Sequence, residues 1–265
     1  MTRPMPGQTV PPEGVPPTGV PQTGVRNAMV LAAGLGTRMR PLTAATAKPL
    51  LPLGGRSLID HALDRLLAAG VEQVVVNTHW QAERLEAHLR ARAAPRTVIR
   101  REPALLDTGG AVAAALAGGL LGGEAFFTIN GDSVWLDGPT PALARLAAAF
   151  DPAEADAVLL VHRTFQVHSE VGCGDFVVDG WGAPRRGRPH EIVPYVYAGV
   201  QLATPALFRD AGAAPFSINA VWDRALAAGR LRAVVHDGLW FHLSRPQDLS
   251  EAESALLAQE ISETT

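Results

Sequence analysis

Short apolar runs bounded by glycine, proline and polar residues recur along the chain, at 28–33, 71–77, 97–100, 125–129, 157–161 and 196–202. Each has the length of one buried strand. Between several of them lie segments with apolar residues three and four apart, the spacing of a helix with one buried face. Over 57–69, Leu58, Ile59, Ala62, Leu63, Leu66 and Leu67 form such a face, with Ser57 placed to cap its start and Gly70 to end it. Further helices are predicted over 81–92, with Leu85 and Leu89 inward, and over 111–117, 141–150, 217–229 and 247–259. Strands alternating with helices predict an α/β fold. Its sheet is Rossmann-like, mixed but mostly parallel, and covered by helices on both faces.

The first 25 residues break this pattern. Three units repeat there, PPEGV, PPTGV and PQTGV, and proline every few residues blocks both helix and sheet ladders. A disordered tail is expected at 1–25, followed by a single domain over 26–265. An apolar share of 47% is enough for a sizeable core, and the net charge of −3 gives no reason to expect nucleic acid or an anionic membrane as partner. No run of 18 apolar residues is present to span a membrane. Cys173 stands alone, so no intrachain disulfide forms, and the cytoplasm is the expected compartment. A monomer or small homo-oligomer is expected.

Candidate chemistry gathers behind the first apolar run. Ala33 leads into Gly34-Leu35-Gly36-Thr37-Arg38, and Lys48-Pro49 follows ten residues after Arg38. Glycine lets backbone approach a ligand closely, N–H groups after a strand can cradle phosphate oxygens, and Arg and Lys neutralise them. The run is not a dinucleotide-binding turn, because its third glycine position is Met39, and no P-loop string occurs. The chain has 22 arginines and one lysine, Lys48. Where arginine is the default cation, a lone lysine in a phosphate motif indicates that a compact ammonium is needed. Asp132 follows the fourth run in Asn130-Gly131-Asp132, just past a strand's carboxyl end, where open α/β sheets place ligand-handling groups.

With Arg40-Pro41-Leu42-Thr43 and Lys48-Pro49-Leu50, the string resembles the signature of the sugar-nucleotide nucleotidyltransferases, which join a nucleoside triphosphate to a sugar-1-phosphate. The resemblance covers nearly everything beyond the tail. It implies the nucleotide-diphospho-sugar transferase type of fold, Mg²⁺ as cofactor, and Arg38 and Lys48 as the catalytic cations. It further implies nucleotide contacts from Ala33, Gly34, Gly36, Thr37, Glu102, Thr108 and Gly109, and a metal held by Asp132. Glu102 falls where the family reads the base edge. A carboxylate there suits uracil or guanine, and an exposed loop acid is an equal reading. Helix-start N–H groups at 108–110 are expected to face a phosphate or sugar hydroxyl. Asn130, Asp175, Tyr197 and Gly199 are candidates for the sugar. Arg185, Arg186 and Arg188 are read as a solvated basic loop, with a sugar phosphate as the other option.

One departure stands near the end. Family members of this length carry W-x-D-x-G-T-P where this chain has His242, Ser244 and Arg245 in place of the Asp, Gly and Thr. His242 is a second candidate at the metal; imidazole is a poor ligand for hard Mg²⁺, so it would act through a bound water, or Asp132 and the phosphates hold the ion alone, or a softer ion such as Mn²⁺ is used. Within the family, the overall size, the Gly174-Asp175-Phe176 segment and the segment at 197–208 most resemble the N-acetylmuramate-1-phosphate uridylyltransferases of peptidoglycan recycling. A mannose- or heptose-1-phosphate guanylyltransferase and a nucleotide-sugar-binding protein without turnover are the alternatives.

Overall fold

The structure, a computed structural model, describes residues 23–167, 172–212 and 214–263. The expected tail lies outside these residues except for 23–25. In chain order the strands are β1 (Asn27–Leu31), β2 (Pro52–Leu53), β3 (Arg56–Ser57), β4 (Gln73–Thr78), β5 (Arg96–Arg101), β6 (Phe126–Asn130) and β7 (Val134–Leu136). They continue as β8 (Ala157–Arg163), β9 (Val177–Val178), β10 (Pro184–Arg185), β11 (Tyr195–Ala203), β12 (Leu231–Val235) and β13 (Leu239–Phe241). The α-helices are α1 (Leu58–Ala68), α2 (Ala82–Ala91), α3 (Asp107–Ala117), α4 (Ala142–Ala148), α5 (Asn219–Ala227) and α6 (Pro246–Glu263).

Seven strands form one sheet in the order β12-β8-β11-β6-β1-β4-β5. Every neighbour pair is parallel except those made by β11, which runs antiparallel between β6 and β8. Strand alternation divides the core in two. Ala28, Val30, Val74, Val76, Phe127 and Ile129 pack on the face covered by α1, α2 and α4. Met29, Val75 and Phe126 pack on the opposite face, under α3 and α5. Ser57 caps α1 by accepting from the Asp60 N–H at 3.3 Å, and Gly70 beyond its end takes φ +88. The chain winds outward from β1 through β4 to β5, then returns to the other side of β1 as β6. The crevice above the carboxyl ends of β1 and β6 is therefore the switch point at which such sheets bind ligands.

A third, smaller cluster joins Met39, Leu53, Leu58, Val134, Leu243 and Leu249. It docks α6 and the β7–β13 pair against the loop that follows β1. No helix of the described residues is long and apolar enough to cross a membrane.

Ile129 is fully buried at the centre of the sheet, so Ile129→Ala leaves a cavity. The substitution is expected to lower the unfolding free energy by about 2–5 kcal/mol. A urea titration with an unchanged m value measures it.

Candidate active site

The crevice holds a cleft of about 480 Å³. Ala33, Gly34, Gly36, Thr37, Arg38 and Lys48 line it from the β1 side, Asn130 and Asp132 from the β6 side, and Glu102 and Thr108 from the far wall. Ser244, ahead of α6, reaches the same space.

The loop after β1 is shaped to receive an anion. The N–H groups of Gly34, Leu35 and Gly36 have no acceptor among the described residues. Gly36 sits at φ +59, and a Cβ there would meet Thr43 Cγ2 at 3.0 Å and Lys48 Cβ at 3.2 Å. The Thr43 hydroxyl donates to the Gly36 carbonyl at 2.7 Å, while Met39 anchors the loop in the third cluster. Lys48 opens a single 3-10 turn, Lys48–Leu50, and its ammonium donates to Asp132 Oδ2 at 2.5 Å across 84 residues of chain. Gly131 fits because a Cβ would lie 3.0 Å from the Leu31 carbonyl, to which its own N–H donates at 2.8 Å.

Glu102 is only 2% exposed, which excludes the loop-acid reading. Its Oε1 accepts from Asn77 Nδ2 at 2.9 Å and its Oε2 from the Leu106 N–H at 3.2 Å. Asn77 also accepts from the Ala32 N–H at 2.8 Å, so one buried amide ties the first turn of the loop to the far wall. Sequence reasoning missed Asn77 as part of the site. The available signal was a polar residue closing an otherwise apolar strand.

A family model of the MobA-like NTP transferase domain matches residues 28–238. The chain belongs to this family. It is 44% identical over 234 residues to an N-acetylmuramate alpha-1-phosphate uridylyltransferase of Caulobacter vibrioides, covering 86% of this chain and 96% of that protein. It is 31% identical over 231 residues to the protein of the same name from Neisseria meningitidis serogroup B, with the same coverage. Among solved structures, a UDP-glucose pyrophosphorylase complexed with UDP-glucose superposes with a TM-score of 0.73 at 19% identity, covering 89% of this chain and 99% of that one, which shows a shared fold.

In this MobA-like transferase several candidates sit outside the cleft. α3 opens at Asp107, and its first N–H groups are not free: Thr108 donates to the Asp107 carboxylate, and Gly109 and Gly110 to the Phe216 carbonyl at 3.0 and 3.1 Å. Gly109 is needed for packing, since a Cβ would lie 2.3 Å from the Phe216 ring. Asp175 Oδ2 accepts from the Tyr197 N–H at 2.8 Å, and the Tyr197 ring meets Trp222 edge-on at 4.7 Å. Burial, then the Asp175 charge, push the Tyr197 hydroxyl pKa up. Gly199, at φ +77 in a bulge of β11, leaves room for the Ser133 hydroxyl and the Asn130 amide. In the basic loop, Arg185 pairs with Glu191, and Arg186 pairs with Asp223 and lies 4.5 Å over the Phe176 ring.

His242 lies behind the cleft, in a cavity of about 40 Å³ shared with Trp240 and Asp248. It is close enough to Asp132, Lys48 and Arg38 to feel their charges. Asp248 accepts from the Ser244 and Arg245 N–H groups at 2.7 Å each and so fixes the start of α6. Among the described residues no group of three His, Cys, Asp or Glu side chains converges to hold a metal.

Gly36→Ala forces a left-handed alanine, costing about 1–2 kcal/mol, and crowds Thr43. Weaker nucleotide binding by calorimetry is the expected result. His162, His236 and His242 are each pushed below the ordinary imidazole pKa, chiefly by burial. The unfolded chain then takes up protons that the folded chain refuses. Their stabilisation is complete above an unfolded pKa of about 6.5 and is lost as pH falls toward the folded values. Denaturant midpoints should drop from pH 7 to pH 5, with a shallower slope in His162→Asn.

Proposed function

We propose that this chain transfers a uridylyl group from UTP to N-acetylmuramate α-1-phosphate and releases pyrophosphate, a step of peptidoglycan recycling in the cytoplasm. The observation that carries this reading is the meeting of Lys48 and Asp132 beneath a loop of unengaged amides. The choice of uracil and of the muramate sugar rests on the two relatives, since the Glu102 wall suits either uracil or guanine.

The chemistry is governed by charge. A phosphate monoester is already an anionic nucleophile, so no general base is required. The barrier lies in bringing two anions together and stabilising the departing pyrophosphate, which makes positioning and electrostatics the catalytic means. The amides of Gly34, Gly36 and Thr37 with Arg38 take the β and γ phosphates. Lys48 takes the α-phosphate and the incoming sugar phosphate. Asn77 and Glu102 hold the wall against which the base lies. Asn130 borders the sugar, and Tyr197 and Gly199 support that side from β11, with Asp175 held against the Tyr197 N–H. Asp132, with His242 near it, would hold Mg²⁺, whose charge shields the phosphate oxygens when bound.

Pyrophosphate release in MgCl₂ tests this directly. UTP with N-acetylmuramate α-1-phosphate should react, and GTP with mannose-1-phosphate should not. Lys48→Ala should lower kcat by about 10²–10³-fold while changing nucleotide affinity far less. Release from the GTP pair alone, or UTP binding with no turnover in any pair, would overturn the reading.

A further inference from the structure

The metal role given to Asp132 has a consequence for Lys48, and the inference drawn here rests on that role. The ammonium of Lys48 already occupies Asp132 Oδ2, at 2.5 Å. Its side chain is 12% exposed against 37% for Asp132, so the carboxylate is the partner that faces the open cleft. A divalent cation coming from the cleft meets a carboxylate on which a cation is already seated.

We propose that Lys48 and the divalent cation compete for Asp132, so that seating the metal hands the ammonium over to the transferring phosphate. The fold permits such a movement at one end only. Lys48 starts a 3-10 turn with Pro49 behind it, and its Cβ packs against the backbone of Gly36, where an added Cβ would lie 3.2 Å away. The root of the side chain is fixed beside the amide loop. Three flexible methylenes lie beyond Cβ, enough to carry the charge between the carboxylate on one wall and the loop on the other.

The residue type fits the same account. In a chain with 22 arginines this is the one lysine. A guanidinium would grip both carboxylate oxygens through its planar fork and resist displacement. An ammonium is a point charge held by a single oxygen, and it leaves as a unit. The exchange also regulates the charge of the cleft. While Lys48 rests on Asp132 the two cancel. Once a divalent ion neutralises Asp132, the lysine charge becomes available as the second anionic substrate arrives.

The single lysine is its own probe. In protein labelled with ¹³Cε-lysine, one side-chain signal reports Lys48, and its relaxation separates a fixed methylene from a mobile one. Spectra are taken of the protein alone, with Mg²⁺, with a non-hydrolysable UTP analogue in EDTA, and with both. Calorimetry on the same samples measures cation binding. Lys48 is expected to be rigid in the protein alone and to remain on Asp132 with the analogue in EDTA. Mg²⁺ with the analogue should move it off Asp132 and fix it at a new shift. Asp132→Asn should show a mobile lysine from the start, with no response to Mg²⁺. If calorimetry shows Mg²⁺ bound through Asp132 while the lysine stays rigid and unshifted, the hand-over is wrong and the metal role stands. If Asp132→Asn binds Mg²⁺ as tightly as the parent, or neither binds it with or without the analogue, the metal role fails and the hand-over fails with it.

Discussion

The parallel pairing of β1 between β4 and β6 is the constraint on which the site depends. Its register sets Leu31 level with Asn77 on one side and with Asn130 on the other. Neighbouring strands lie about 4.8 Å apart, so three chain segments distant in sequence end within about 10 Å of one another. The candidate chemistry is attached at or just beyond that row: the amide loop after β1, the wall made by Asn77 of β4 and Glu102 after β5, and Asp132 after β6. Side-chain and backbone bonds lock the row. Asn77 accepts from Ala32, and Gly131 donates to Leu31. A slip of one residue in either pairing would turn the strand side chains to the wrong face and part these bonds.

The segment between the amide loop and Lys48 is not a free tether either. It is pinned from the start of α2, where Trp80 Nε1 donates to the Thr43 carbonyl at 3.0 Å and Arg84 to the Ala45 carbonyl at 2.6 Å. Gln81 stands between them at φ 50, a left-handed conformation unusual for a long side chain. The strain persists because these contacts over-determine the turn. The third cluster braces the same segment from below through Met39 and Leu51. A preorganised cradle of this kind does not have to reorganise as charge develops, which is what electrostatic catalysis demands.

How much of this was legible in the sequence depends on how local each feature is. The strands buried on both faces announced themselves as apolar runs, and the Ser57 cap and the α1 face were read as found except for Leu67, which is only partly buried. The antiparallel direction of β11 was not, because a run buried on both faces has the same appearance in either direction. β7 and β13 have three residues each, too few to establish a period, and β12 was missed beside them. In the site, the amide loop, Lys48 and Asp132 were recognisable because their motifs are short and contiguous. The bonds that occupy the Gly109 and Gly110 N–H groups come from Phe216, and the side-chain amide that holds Glu102 Oε1 comes from Asn77. Neither partner is near in sequence, and no local pattern marks either as a neighbour of the site.

His242 shows how such a departure acts on charge. The family pattern places an aspartate where this imidazole stands. His242 lies against Trp240 with ring centroids 5.5 Å apart, and Trp240 against His162 at 6.0 Å, so the position ends a row of rings leading out of the core. Burial lowers the imidazole pKa and so favours its neutral form, and the nearby Lys48 and Arg38 charges push the same way against the pull of Asp132 and Asp248. An aspartate there would offer a divalent ion a second oxygen but would add a negative charge to a site that must bring two anions together. Neutral imidazole gives up the oxygen and removes that repulsion. It also leaves Lys48 with a single strong anionic partner, Asp132. With the function proposed above, the departure would shift the burden of holding a cation from the protein to the phosphates and tie Lys48 to one carboxylate.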